Sequence, residues 1–295
     1  MKYFIIAAVL LFGGIGVMGL FKNKPRPVKE EPIQEIALGT SQAPIPIAQS
    51  PTEAFAEIDR IDQLFALDAP ESRFVETVSF TSRVPWLKDR PAWIADYASH
   101  YQTSRHFIAR SLNQKIDYAN QKVHPGDRFN VFRKDKNIKF HLTVDLSKCR
   151  LWFYCVDNNE KILLKTYRVG VGKQDKLQPS GSLTPLGKYQ LGDRIVIYKP
   201  GITGFFQDQK VEMIRVFGTR WLPLDREEGS LVKGLGLHGV PWIEGEGGQL
   251  IEDRSKIGKY DSDGCIRMAS EDIEEIFAIV ITKPTTVEIV KDFKP

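Results

Sequence analysis

Cysteine is scarce in this chain: Cys149, Cys155 and Cys265 are the only three in 295 residues. An odd count cannot make a disulfide framework. The 5 histidines stand without any Cys-x-x-Cys or His-x-x-x-His spacing, so no metal site is expected. There is no P-loop to cradle a nucleotide, no internal repeat, and no cofactor is expected. Excess charge is also small. The 41 Lys+Arg against 37 Asp+Glu leave +4, too little to argue for nucleic acid, though it suits work beside an anionic polymer. What is present is ordinary globular material, 42% hydrophobic and 26% charged, which excludes a collagen-like, wholly disordered or polytopic membrane chain. The length allows one large or two modest domains.

The first segment bears on compartment. Tyr3 to Phe21 carries no formal charge over 19 residues. At 1.5 Å per residue it reaches about 30 Å, enough to cross the hydrocarbon core of a bilayer. Met18 and Gly19 make a poor cleavage site, so residues 1–21 read as an uncleaved signal anchor, with a cleaved signal peptide or a buried core helix as alternatives. Lys22, Lys24, Arg26 and Lys29 follow the span while Lys2 precedes it, which by the positive-inside rule favours a cytoplasmic body. The chemistry read below belongs outside, so the two indications conflict.

Residues 22–51 hold Pro25, Pro27, Pro32, Pro44, Pro46 and Pro51 with few large apolar side chains, the composition of an extended tether. From Thr52, a plausible N-cap, Phe55, Ile58, Ile61, Leu64 and Phe65 recur at helical spacing. Pro91 is placed to begin a second helix carrying Trp93, Ile94, Tyr97 and Tyr101. Residues 52–135 therefore read as a small, mainly helical or mixed domain. From Ile138 the period drops to two. Phe140, Leu142, Val144 and Leu146 alternate with His141, Thr143 and Asp145 as in a half-buried strand. Further strands are expected at Arg150–Val156, after a turn at Asp157-Asn158-Asn159 around Tyr167–Val171, and at Lys188–Leu191, Ile195–Tyr198 and Thr286–Val290. One convincing helix is expected at Glu271–Ile281, capped by Ser270, with Glu271 and Asp272 near its positive end. Residues 136–295 thus read as a mainly β domain with a packed helix, and the whole as α+β.

Cys149 and Cys155 fall on one extended segment at a separation of about 20 Å, too far for a disulfide, and read as small buried hydrophobes. Cys265 differs. It sits in Tyr260-Asp261-Ser262-Asp263-Gly264-Cys265-Ile266-Arg267-Met268, just before the expected helix. A thiol on a glycine-containing turn is accessible, and the turn's backbone N–H groups are available to an oxyanion. Arg267 and the helix N-terminus are expected to favour the thiolate. A base is needed, and His238, in Gly234-Leu235-Gly236-Leu237-His238-Gly239-Val240-Pro241, is the candidate. Taken singly, a lone Cys is structural and a lone His in a glycine-rich stretch is a turn residue. The combination is what carries meaning.

Together these residues resemble the L,D-transpeptidase catalytic domain, also called YkuD. The family's pattern is a His-Gly step followed by Ser-x-Gly-Cys-[Ile/Val]-Arg, matched here by His238-Gly239 and by Ser262-Asp263-Gly264-Cys265-Ile266-Arg267. The strand pair LTVDLSKCRLWFY, the segment Thr184-Pro185-Leu186-Gly187-Lys188-Tyr189 and the closing PTTVEIV are similar to the family's. Asp263 departs from the pattern, since many members carry His at that place, and a carboxylate facing the thiol would raise its pKa. The 26 residues between His238 and Cys265 are expected to form a lid or substrate-contacting loop. Residues 105–132 faintly resemble the end of a LysM wall-binding module, with a packing domain that binds nothing as the blander reading.

The resemblance implies a β-sandwich acting on peptidoglycan stem peptides, in cell wall biogenesis and cell shape. Cys265, activated by His238, would attack the carbonyl of the third stem residue, expel D-alanine and hold the acyl group as a thioester for an amine. The N–H groups of Gly264 and Cys265 would form the oxyanion hole. Arg267 would bind a carboxylate or brace the loop, and Ser262, Gly239 and Asp263 would bind substrate or support the site. The membrane is the other expected partner, through the N-terminal span, with the body extracytoplasmic, or secreted if the signal is cleaved. An L,D-carboxypeptidase using water and a non-catalytic wall-binding protein are the alternatives.

Overall fold

Alternation works as expected at the centre of the sheet: Phe140, Leu142 and Val144 form one buried face of the strand Lys139–Asp145. Thr143 and Asp145 on the opposite face are buried too, so the inner end of this strand is covered on both sides. The computed structural model describes residues 58–69, 72–113, 122–226 and 234–295, which belong to one compact unit. The expected anchor at 1–21, the tether at 22–51 and the Thr52 cap lie outside them. Among the described residues, no helix is long and apolar enough to cross a membrane.

Nine strands form one mixed sheet. Lys139–Asp145 lies between Arg150–Asp157, to which it is antiparallel, and Thr285–Val290, to which it is parallel. Arg150–Asp157 pairs in turn with Glu160–Arg168 through a two-residue turn at Asn158-Asn159. Both asparagines have positive φ (49° and 73°), the conformation a tight hairpin of this kind requires. The third strand was expected from Tyr167 onward. It begins earlier, at Glu160, because pairing with Arg150–Asp157 extends it through Glu160, Lys161 and Lys165, whose polarity hides a strand from a periodicity argument. Beyond Thr285–Val290 the path runs through Gly187–Leu191, Arg220–Arg226 and Gly236–Gly239 to Ile266–Met268, with Val196–Ile197 attached to Arg220–Arg226. The sandwich that the family resemblance implied is thus bonded as one sheet, a path of eight strands with a ninth attached at its side, and only two-stranded sheets lie beside it among the described residues.

The helix Ser270–Val280 buries Ile273, Ile276, Phe277, Ile279 and Val280 in the same core as Leu142, Leu151, Phe153, Leu222, Val287 and Ile289. Ser270 is not its cap. Ala269 holds that position and makes no side-chain bond. The Ser270 N–H is instead taken by the Glu252 carboxylate, and its hydroxyl accepts from Trp242 Nε1 at 3.3 Å. A carboxylate brought from a distant hairpin has displaced the local cap.

Upstream, the small region is mixed: helices Asp62–Phe65, Ile94–His100 and Arg105–Asn113, and an antiparallel pair Val75–Ser79 with Arg128–Phe132. The first helix is shorter than expected, because Ile58 to Arg60 run extended along the sheet edge, where the Arg60 N–H donates to Leu164 O and the Thr166 N–H to Ile58 O. Pro91 precedes the second helix, whose N-cap is Trp93; the Asp96 side chain accepts from the Trp93 N–H at 2.8 Å. Ile61, Leu64, Phe74, Phe107 and Phe132 join the core of the large sheet, while Phe80, Tyr97, Ile108 and Phe129 form a second cluster. The faint LysM-like stretch, 105–132, falls within this region, and part of it, 114–121, lies outside the described residues.

Candidate active site

Two short parallel strands carry the candidate base and the residues that directly follow the candidate nucleophile. Gly236–Gly239 pairs with Ile266–Met268 so that Leu237 faces Ile266 and His238 faces Arg267. Extending that register by one residue sets Gly236 opposite Cys265. His238, two positions beyond Gly236, then shares its face of the sheet. The 26 residues between His238 and Cys265, expected to form a lid or substrate-contacting loop, hold the hairpin Trp242–Glu244 with Leu250–Glu252, a turn at Arg254–Lys256 and the strand Tyr260–Ser262, which pairs with Val171–Gly172.

His238 is 3% exposed. Its ring lies edge-on to Phe217 at 5.3 Å and tilted against Trp221 at 5.8 Å. Nδ1 is 2.7 Å from the Gly239 carbonyl oxygen, an atom that only accepts, so Nδ1 carries the proton and Nε2 keeps its lone pair. Burial drives the imidazole pKa down to about 4; the carbonyls of Gly239 and Phe217 oppose that, and Arg267 adds to it. The corner is tight because of glycines. Gly218 has φ 61° and ψ −149°, and a Cβ there would stand 2.6 Å from Gly239 Cα. A Cβ on Gly239 would in turn lie 3.0 Å from Thr219 N, a tight approach to backbone.

The Cys265 thiol donates to Gly234 O at 3.1 Å. Burial raises its pKa to about 11. The Gly236 N–H and Arg267 pull it down, and Asp263, the last of the four, pushes it up. Arg267 favours the thiolate as expected, but desolvation of the sulfur outweighs the guanidinium. Thiol and imidazole are both neutral at neutral pH.

The turn that carries the thiol is held by buried polar contacts. Ser262, 1% exposed, donates from Oγ to Cys265 O at 2.6 Å and accepts from the Gly264 N–H at 3.2 Å. Ser262 therefore serves the turn rather than the imidazole. The Gly264 N–H, expected to be one of two oxyanion donors, is occupied by that hydroxyl. Gly264 itself has φ 129°, and a Cβ would stand 3.2 Å from Leu183 O. Thr184 Oγ1, fully buried, donates to Gly264 O at 2.8 Å and accepts from the Gly172 N–H at 2.7 Å.

Arg267 Nη1 donates to Asp261 Oδ2 at 2.7 Å, and Lys256 Nζ shares that carboxylate at 3.1 Å. Of the two roles expected for Arg267, bracing the loop is the one this contact fits. Asp263 points outward. Its side chain is 70% exposed and pairs with Lys173 Nζ at 2.7 Å. Cys149 and Cys155 are buried and free, with pKa values raised to about 11 and about 12 by burial. No group of three His, Cys, Asp or Glu among the described residues is arranged to hold a metal.

Thr184, Phe217, Gly218, Trp221 and Lys173 were not read as site residues. Only Thr184 has a signal, inside a Thr-Pro-Leu-Gly segment already noted for its family likeness; Phe217 and Gly218 come from the end of a short helix, Trp221 from the strand after it, and Lys173 follows Val171–Gly172.

A family model described as the L,D-transpeptidase catalytic domain matches residues 139–289. No curated protein matches the chain. Among solved structures, Bdellovibrio bacteriovorus Bd1075 aligns at 16% identity and TM-score 0.37, over 52% of this chain and 49% of that one. The helical cell shape determining protein Pgp2 from Campylobacter jejuni aligns at 19% identity and TM-score 0.36, over 54% and 49%. L,D-transpeptidase 1 of Mycobacterium tuberculosis aligns at 14% identity and TM-score 0.26, over 55% and 70%. The alignments to the first two span about half of each structure's length.

Proposed function

Because the chain belongs to the L,D-transpeptidase catalytic domain family, we propose that it is a peptidoglycan acyltransferase with Cys265 as nucleophile and His238 as base. The observation that supports this reading is the parallel pairing of Gly236–Gly239 with Ile266–Met268, a register that, extended by one residue, directs Cys265 and His238 toward the same face.

A neutral thiol must lose its proton as it attacks. The thiol leaves the Gly234 carbonyl, and its proton passes to Nε2 of His238, whose Nδ1–H remains on the Gly239 carbonyl. A base this weakly basic receives the proton only while the sulfur bonds to carbon, so proton transfer and attack run together. The sulfur adds to the carbonyl of the third stem residue. The N–H of Cys265 faces the developing oxyanion, and the Gly264 N–H joins only by relinquishing Ser262 Oγ. Collapse expels D-alanine, which takes the proton back from His238, and leaves a thioester. An amine then accepts the acyl group. Arg267 and Asp261 keep the nucleophile strand in place, and Thr184 holds the turn from beneath. A wall substrate calls for an envelope location with the catalytic residues on the outer side of the cytoplasmic membrane. The span read at 1–21 and the tether read at 22–51 would hold the domain at the membrane, although the basic residues after the span favour the opposite orientation.

Incubation of the purified protein with a disaccharide-tetrapeptide donor, followed by intact-protein mass spectrometry, tests the reading. An adduct of donor minus D-alanine on wild type and none on Cys265→Ala is the expected result. Absence of adduct, D-alanine release and product on wild type would overturn it.

A further inference from the structure

We propose that the ion pair of Asp263 and Lys173 selects the acyl acceptor: Asp263 takes the ammonium and Lys173 the carboxylate of an acceptor bearing both groups on one carbon. The proposal rests on the reading of Cys265 as the acyl carrier.

Position is the first argument. Asp263 lies two positions before Cys265, close enough that its charge is felt at the sulfur. Lys173 is held in the same platform, since its N–H donates to Ser262 O at 2.8 Å and its carbonyl accepts from the Leu183 N–H at 2.9 Å. The second argument is availability. Arg267 and Lys256 both spend their charge on Asp261, whereas the Lys173 and Asp263 side chains are 57% and 70% exposed. An exposed pair of this kind contributes little to stability, so either partner exchanges its contact at small cost. The third is complementarity. Opposite charges 2.7 Å apart are matched by an α-amino acid head group, which offers the same two charges in reverse order.

Holding the amine beside the thioester raises its effective concentration against water, so the pair governs transfer over hydrolysis. In the transfer step the acceptor's amine, having lost its ammonium proton to solvent, attacks the thioester carbonyl. The C–N bond forms and the C–S bond breaks. His238 carries the amine's second proton to the departing sulfur, which restores the thiol and leaves a neutral amide.

The test measures how the thioester, formed from the disaccharide-tetrapeptide, partitions between glycine, methylamine and water, with amine concentrations matched as free base. Wild type is expected to favour glycine over methylamine. Lys173→Ala should lower glycine transfer relative to hydrolysis by about tenfold and leave the methylamine ratio unchanged, while Asp263→Asn lowers both. The exchange Lys173→Asp with Asp263→Lys restores a brace between the loops but places the ammonium's partner at position 173, so glycine transfer stays low. Unchanged partition in the single variants, or full rescue by the exchange, would overturn the proposal while the thioester still forms. Failure of wild type to form a thioester at all would overturn the functional reading, and this proposal with it.

Discussion

Replacing Gly218 by alanine probes the argument that close backbone approach positions His238. Gly218, at φ 61° and ψ −149°, occupies a region essentially reserved for glycine. A Cβ there would lie 2.6 Å from Gly239 C, Gly239 Cα and Val240 O, against 3.4 Å for ordinary contact, an overlap of 3.4 − 2.6 = 0.8 Å with backbone that has no rotamer to escape into. The backbone conformation costs about 1–3 kcal/mol and the overpacking about as much again. On the order of 3–4 kcal/mol is therefore expected, or a melting point lower by roughly 6–16 °C in a domain of this size. The displaced atoms include the segment whose carbonyl holds His238 Nδ1, so a shift approaching 1 Å should lower kcat/KM for D-alanine release by about 10²-fold. Gly247→Ala is the matched control. Gly247 also has positive φ (78°, ψ 10°), but nothing lies within 4 Å of its Cβ position. It should cost about 1 kcal/mol and leave turnover within threefold. Thermal melts and kinetics of both variants decide the matter. Gly218→Ala melting and turning over like Gly247→Ala would refute the reasoning, and lost stability with unchanged turnover would refute the part concerning His238.

The remaining expectations concern charge state and buried polar groups. With the Cys265 thiol pushed up to about 11, its alkylation by iodoacetamide should climb roughly tenfold per pH unit from pH 7 to 10; a plateau below pH 9 would contradict the account of a desolvated sulfur. Thr184→Val strands Gly264 O and the Gly172 N–H without a partner in a fully buried place. It should cost about 1–3 kcal/mol in denaturant unfolding and slow D-alanine release, whereas a variant as stable as wild type would mean water fills the gap. Burial raises the Asp272 carboxyl to about 6, with Lys165 opposing. A carboxyl raised above its unfolded value of about 3.9 contributes its full stability below pH 4, and that contribution is lost as pH rises through 6. Asp272→Asn should accordingly raise the melting point at pH 8 with the gain vanishing near pH 4, and a loss at pH 8 would reverse the sign of the argument.

Much of the site could be read in the chain because its chemistry is packed into short segments. Ser262 to Arg267 and His238-Gly239 are local motifs, and the sheet's central strands announce themselves through Phe140, Leu142 and Val144. The Asn158-Asn159 turn is equally local, since two residues tolerant of positive φ suffice to define it. Glu160–Arg168 escaped because its residues take the strand conformation from their neighbour rather than from their own pattern. Ser270 carries a local cap signal that Glu252, 18 positions away, overrides at the same helix end.

Residue types and their spacing determined by themselves the identity of the nucleophile candidate, its base, and the β-rich class of the domain that carries them. Only the tertiary structure decided the protonation states, since desolvation depends on which rings and strands close over the sulfur and the imidazole. It likewise decided that the Gly264 N–H is engaged by Ser262, that Gly218 presses on Gly239, and that Asp263 pairs with Lys173. Periodicity and motif are properties of neighbours along the chain. Burial, hydrogen-bond competition and steric contact are set by neighbours in space, and 90 residues separate Lys173 from Asp263.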